Sequence, residues 1–179
     1  EELKSSLNNF LCVLLRFTGV STTARHIKSP TLPPRTGLTP LPRSLNNLLV
    51  CVSAGIMDEK STLLLKEAGL DRLNHNLNTS SSQYAKICTT HTFTDRLNTL
   101  KAARNADLEV CSGIIAGMGE TAVELVDLAM MLHNLEAKSI PINFLLPIAG
   151  NKLETAENLT PEYCLKILCL FRFINPQAE

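Results

Sequence analysis

The stretch Leu108-Glu109-Val110-Cys111-Ser112-Gly113-Ile114-Ile115-Ala116-Gly117-Met118-Gly119-Glu120-Thr121 carries the fold in miniature. Leu108 to Ile115 is an apolar run of strand length, which predicts a buried strand. Three glycines punctuate its end. Thr121 with Glu124 three residues later then has the pattern of a capping box. Behind it Leu125, Leu128, Ala129 and Leu132 repeat at helical spacing. The stretch therefore reads as strand, turn and capped helix.

Similar units lie on both sides. Upstream, Leu48-Leu49-Val50-Cys51-Val52-Ser53 is a short apolar run ending in Ala54-Gly55. A helix follows from about Asp58 to Ala68, carrying Leu63, Leu64 and Leu65 and stopped by Gly69. Arg72 to Asn78 predicts the next strand. Thr92-Phe93-Thr94-Asp95 caps a helix to about Asn105, with Leu97 and Leu100 on its inner face and Lys101 at the shoulder. Downstream, Ser139 to Leu145 predicts a strand, and Thr160-Pro161 opens a helix through Phe173 that Asn175-Pro176 ends.

Four strands separated by helices require parallel pairing and right-handed crossovers, so the class is α/β. Four units make half of an eightfold barrel or most of a small doubly wound sheet. The pattern leaves both open.

Residues 1–47 differ. Pro30, Pro33, Pro34, Pro40 and Pro42 lie among Ser and Thr, which predicts an irregular, poorly ordered or mispredicted segment ahead of a domain over 48–179. The first residue is Glu1, not Met, so a start further upstream is expected.

Charge narrows the function. Lys+Arg and Asp+Glu are both 17 and the formal net charge is zero, which offers no electrostatic footprint for nucleic acid. No apolar run approaches the roughly 20 residues of a bilayer span, so no membrane partner is expected either. Six cysteines lie far apart without a CxxC pair, which points to a reducing, cytoplasmic compartment rather than a disulfide scaffold.

Three strand ends are polar where apolar residues are the norm. In Asn74-His75-Asn76-Leu77-Asn78-Thr79 the asparagines alternate, so all three face one side. A buried carboxamide without a partner costs about 1–3 kcal/mol, and a polar ligand is the simplest partner for a row of them. A solvated edge strand is the alternative. The glycines at 113, 117 and 119 permit close backbone approach but lack dinucleotide-fingerprint spacing. Asn143 ends the strand Pro141-Ile142-Asn143, where capping or turn duty explains it equally well. Cys51 and Cys111 lie within apolar strands; each alone reads as a small hydrophobe, and together they could converge on an iron–sulfur cluster. Cys88, Cys164 and Cys169 read as structural, and His26, His75, His91 and His133 lack ligand-like partners in sequence. No catalytic side chain stands out.

The runs Asn74 to Ser80, Thr89-Thr90-His91-Thr92 with Asp95-Arg96-Leu97, Val110 to Gly113, and Gly117 to Thr121 closely resemble the biotin synthase family. Ser139 to Leu145 and Phe171-Arg172-Phe173-Ile174-Asn175-Pro176 continue the likeness over about 130 residues. The resemblance implies the carboxy-terminal half of a radical S-adenosylmethionine enzyme, as a partial TIM-type barrel of about four βα units. By resemblance, a 4Fe-4S cluster cleaves S-adenosylmethionine to a radical that takes hydrogen from dethiobiotin. A 2Fe-2S cluster supplies the inserted sulfur.

Carried over in this way, Cys51 and Cys111 are two ligands of the 2Fe-2S cluster. Asn74, Asn76 and Asn143 hold dethiobiotin, and Asn76, Asn78 and Asn143 lie near the adenosylmethionine. Gly113, Ile115, Gly117 and Glu120 match the superfamily's GxIxGxxE pattern at the adenosine end. The resemblance also implies a flavodoxin or ferredoxin as electron donor, a homodimer for the complete enzyme, and a mitochondrial location in a eukaryote.

The departures count as well. No three cysteines have the CxxxCxxC spacing of the reductive cluster site, so the chain alone is expected to be inactive. Arg16-Phe17-Thr18 resembles a damaged strand with Thr18 where a third cluster cysteine is expected, and Cys12 is a poorly placed substitute. The family's arginine ligand falls beyond Glu179. Asp107 replaces a usual glycine, and Asn151-Lys152 interrupts a usual Thr-Pro. A non-catalytic remnant, or binding-only half barrel, is the alternative within the family; an unrelated small α/β binding module is the alternative outside it.

Overall fold

The computed structural model describes residues 14–15, 49–148, 150 and 159–179. Cys12, Arg16-Phe17-Thr18, His26, the proline-rich stretch and Asn151-Lys152 lie outside the described residues.

The strands are β1 (Leu14–Leu15), β2 (Val50–Val52), β3 (Arg72–Asn74), β4 (Glu109–Cys111), β5 (Ile114–Ala116) and β6 (Ile142–Phe144). The helices are α1 (Glu59–Glu67), α2 (Ser81–Ile87), α3 (Phe93–Asn105), α4 (Ala122–Asn134) and α5 (Pro161–Ile174). Strands β2, β3 and β4 are parallel neighbours in that order, and β5 pairs in parallel with β6. Single bridges from Asn78 to Ile114 and from Cys111 to Ser139 join the two sheets into one wall.

That order settles what the pattern left open. Each new strand is added on the same side, with no reversal of direction, as in a barrel and unlike a doubly wound sheet. The wall is a partial barrel. β1 departs from the series, because it lies antiparallel against β2, with Leu14 opposite Cys51.

The expected strand from Leu108 to Ile115 is broken into β4 and β5 at Ser112-Gly113. There the chain runs so close to its neighbour that a Cβ on Gly113 would lie 1.9 Å from the Pro141 carbonyl oxygen. The expected strand over Arg72 to Asn78 likewise keeps regular pairing only to Asn74, and Asn78 turns into the left-handed region at φ 71°. Helix α2 has no counterpart in the sequence reading; it is short and buries only Tyr84.

Both capping boxes form, with Thr92 and Asp95 on α3 and Thr121 and Glu124 on α4. Of the three leucines of α1, Leu65 alone packs against the core. Leu63 and Leu64 are exposed, and Thr62 is buried in their place with its hydroxyl 3.2 Å from the Ala102 carbonyl of α3. The core lies between the sheet and the helices. Leu73, Leu77, Val110, Ile114 and Ala116 from the wall meet Leu100, Ala103, Leu125, Leu128, Leu132, Ile167 and Phe171 from the helices. The wall's other face has no helix against it among the described residues, and that face holds the polar groups.

Candidate functional site at the inner face of the wall

Register places the side chains. Cys51 stands opposite Arg72, Arg72 opposite Glu109, and Asn74 opposite Cys111. Residues opposite one another in a sheet share a face, and so do alternate residues in a strand. Cys51, Arg72, Asn74, Glu109 and Cys111 therefore all face away from the helices. Burial agrees: Leu73, His75, Leu77 and Thr79 are buried, while Arg72, Asn74, Asn76 and Asn78 are only partly covered.

The two thiols converge. Cys51 and Cys111 share a side-chain hydrogen bond, the largest influence holding the Cys111 thiol well below the ordinary thiol range. Burial opposes it, and Ser139 and the positive charge of Arg72 assist. Arg72 donates from Nε and Nη2 to Glu109 Oε2 at 2.9 and 2.7 Å and lies 3.5 Å from Glu179. A strand separates the two cysteines, so their Cα atoms are about 9 Å apart by two strand spacings. A disulfide tolerates only about 7 Å, and neither cysteine is in a disulfide. The pair suits a bridging metal centre. Among the described residues no set of three His, Cys, Asp or Glu is arranged to hold a metal ion.

The carboxamides follow along the same face. Asn74 Oδ1 is buried with no hydrogen-bond partner, the kind of atom a polar ligand satisfies. Asn76 Oδ1 accepts from the Gly113 N–H at 3.0 Å, which turns its NH2 outward as a donor. Asn78 exchanges backbone hydrogen bonds with Gly113 and Ile115 at 3.1 and 2.7 Å. Asn143 is exposed directly opposite Ile115, so β5 and β6 carry those two side chains on the open face.

The glycine-rich turn has a different occupation from the one its composition suggests. Glu120 Oε2 accepts from the N–H groups of Gly117 and Met118 at 3.1 and 3.0 Å, and Oε1 accepts from the Thr79 hydroxyl. Its carboxylate shapes the turn from within. Gly117, at φ 101°, is packed so closely that a Cβ would meet Leu159 at 2.4 Å. Gly113 and Gly117 thus serve close packing inside the chain.

Sequence reading missed the groups that brace this face from behind. Arg96 donates from Nη1 to the Asn76 carbonyl at 2.7 Å and from Nε to the Tyr84 hydroxyl. His91, read as unpartnered, lies 2.8 Å from that hydroxyl. The only sequence signal is Arg96 itself, a cation in the first turn of a helix, where the macrodipole disfavours one. Arg72 was legible in principle, since it stands in the same alternating register as the asparagines. Of the cysteines read as structural, Cys88 and Cys164 are half-buried and Cys169 is exposed, because its side of α5 has no neighbour among the described residues.

Comparison with known proteins completes the account. Residues 28–132 match the family model described as the radical SAM superfamily, and residues 141–179 match the Biotin and Thiamin Synthesis associated domain. The chain is 64% identical over 129 residues to the biotin synthase of Acaryochloris marina, covering 72% of this chain and 37% of that protein. It is 57% identical over 130 residues to the biotin synthase of Magnetococcus marinus, covering 73% and 40%. The chain thus spans well under half the length of these relatives. Among solved structures, methylornithine synthase superposes with a TM-score of 0.63 at 23% identity, over 73% of this chain and 39% of that one. The FeFe-hydrogenase maturase of Carboxydothermus hydrogenoformans gives 0.64 at 17%, over 73% and 33%. At such identities the likeness concerns fold alone, and it is a barrel fold.

Proposed function

The chain belongs to the radical SAM superfamily, and from that premise we propose that it is the substrate-side half of a biotin synthase barrel. The activity proposed for the complete enzyme is radical insertion of sulfur into dethiobiotin. The observation that carries this reading is the convergence of Cys51, Cys111 and Asn74 on one face, with two thiols in contact and one carboxamide oxygen buried and unpaired.

The donor set fits part of a 2Fe-2S site, since two thiols meet and one is already biased toward the thiolate that iron binds. It does not fit a 4Fe-4S site, because the sequence has no CxxxCxxC. The chemistry that the clusters and S-adenosylmethionine supply when bound is hydrogen abstraction from dethiobiotin and delivery of sulfur.

The chain's own residues do the rest. Cys51 and Cys111 present sulfur to metal. Asn74, Asn76 and Asn143 offer neutral donors and acceptors suited to a ureido ring, and Asn76, Asn78 and Asn143 to a ribose and amino-acid group. Gly113, Ile115, Gly117 and Glu120 hold the βα turn that would border the adenosine; Glu120 acts there through the backbone it organises. Neutral amides give a carbon radical neither an acidic proton nor a nucleophile, which is the reason to line such a chamber with them. Arg72 keeps a positive charge beside the thiols. A flavodoxin- or ferredoxin-type donor, a homodimeric complete enzyme, and a cytoplasmic location (mitochondrial in a eukaryote) belong to the same proposal.

The missing CxxxCxxC favours a second reading for the chain by itself, that of a binding-only half barrel. One experiment addresses both. Residues 49–179 are fused behind the amino-terminal portion of the Acaryochloris marina enzyme and reconstituted without oxygen. Formation of biotin from dethiobiotin by the fusion, abolished by Cys111→Ala, is the expected result. The 179-residue chain alone should yield no 5′-deoxyadenosine. A soluble fusion that cleaves S-adenosylmethionine but leaves dethiobiotin untouched would overturn the substrate reading.

A further inference from the structure

The helix-covered side of the wall holds a second polar cluster that the proposed chemistry does not use. Cys88, which ends α2, has its sulfur 3.5 Å from Thr90 Oγ1 and 3.6 Å from His91 Nδ1. His91 Nε2 lies 2.8 Å from the Tyr84 hydroxyl, and Arg96 Nε donates to that same hydroxyl. Next to them is His75, 7% exposed, with its Nε2 unpartnered and feeling the charges of Arg96 and His91.

Arg96 can only donate, so Tyr84 accepts from it, and in the His91 tautomer that carries its hydrogen on Nδ1 the Tyr84 hydroxyl donates to Nε2. Burial raises Tyr84 above the ordinary phenol range, which keeps that proton in place. His91 is lowered, first by burial and then by Arg96, which favours the neutral ring, and a hydrogen on Nδ1 suits the Thr90 and Cys88 acceptors beside it. That N–H faces Thr90 Oγ1, at 2.9 Å, and the Cys88 sulfur. A thiolate here gains donors on the side away from solvent.

We propose that Cys88 is a modification site, an activated thiol that takes up small-molecule disulfides as a mixed disulfide. The Cys88 sulfur attacks one sulfur of the reagent, a new S–S bond forms, and the reagent's S–S bond breaks. The departing thiolate takes a proton, so a thiol and a disulfide become a mixed disulfide and a thiol. Access is open, since Thr89 and Thr90 are exposed and Cys88 is half-buried. Burial by itself would push the Cys88 thiol up, but hydrogen bonds from the Thr90 side chain and from the His91 and Thr90 backbone bring it down to about 7. The groups facing it are Tyr84 from α2, His91 and Thr90 from the following loop, Arg96 and Asp95 from α3, and His75 from beyond β3. Lys86 is turned away to Gln83.

The test uses the reduced 179-residue chain and glutathione disulfide. Thiolation of the peptides bearing Cys88 and Cys169 is timed by mass spectrometry from pH 6 to pH 9, with exposed Cys169 as internal reference. Thiolation of Cys88 relative to Cys169 should be greater at pH 6 than at pH 9 by roughly 20-fold, a pH-dependent swing that differences in access cannot produce. Thr90→Val should shift the Cys88 profile upward, Thr90→Ser should restore it, and concentrated urea should erase the preference. A Cys88 to Cys169 ratio constant across that range, or one that persists in urea, would overturn the proposal.

Discussion

Asp107 sits at φ 58° in the left-handed region at the end of α3, a conformation that favours glycine. A side chain strains that backbone. Its compensation is an exposed ion pair with Lys66 at 3.1 Å, and such pairs contribute little. Asp107→Gly should raise stability by roughly 0.5–1 kcal/mol in urea unfolding. The opposite change at Gly113 meets backbone that cannot yield, so Gly113→Ala should cost about 3 kcal/mol or more. His75 adds a pH dependence. Burial first, then Arg96 and His91, lower it from 6.5 to about 4. Between those values the unfolded chain binds a proton that the folded chain refuses, so stability falls by up to about 3 kcal/mol as pH drops across the window. Urea midpoints at pH 7 and pH 4.5 measure it, and His75→Leu should flatten that part of the curve. Alternation in sequence made the asparagines legible as a row. It could not show that Glu120 is consumed by its own turn, because that depends on which way one loop closes.

At the scale of elements, caps were legible and joints were not. Thr121 and Glu124 were readable because a capping box is local in sequence. The hydroxyls of Ser82 and Ser80 that also reach Glu124 were not, since α2 comes from a separate stretch with almost no apolar period. Ser82, the Thr121 N–H and Ser80, in that order, hold Glu124 down at about 2. Its contribution is full above 4.5 and is lost as pH falls through about 2, and Glu124→Gln should remove that acid-side loss. The joint between α4 and α5 rests on buried Asn175, which sequence offered only as a helix stop. Its Nδ2 donates to the Ala129 carbonyl at 3.1 Å. Asn175→Ala should lower stability by about 1–2 kcal/mol without changing helix content by circular dichroism.

For the whole molecule, strand–helix repetition was enough to read a parallel α/β chain. Which sheet it builds was illegible, because strand order depends on contacts between residues dozens of positions apart. The wall leaves one face uncovered by helices among the described residues, and the outer side of α5 exposes Leu165, Leu168 and Phe173. The 179-residue chain alone should therefore self-associate and bind a hydrophobic dye. A monomer by light scattering that melts cooperatively would contradict this.

The pair Cys51 and Cys111 is separated by β3, and their side chains meet across it on the face that carries Arg72 and Asn74. Anything that grips both ties together three staves, not two, and clamps the middle one beneath it. Occupancy of that position would then act as a cross-brace. Amide exchange in β3 should slow on metal loading, although β3 supplies no ligand of its own.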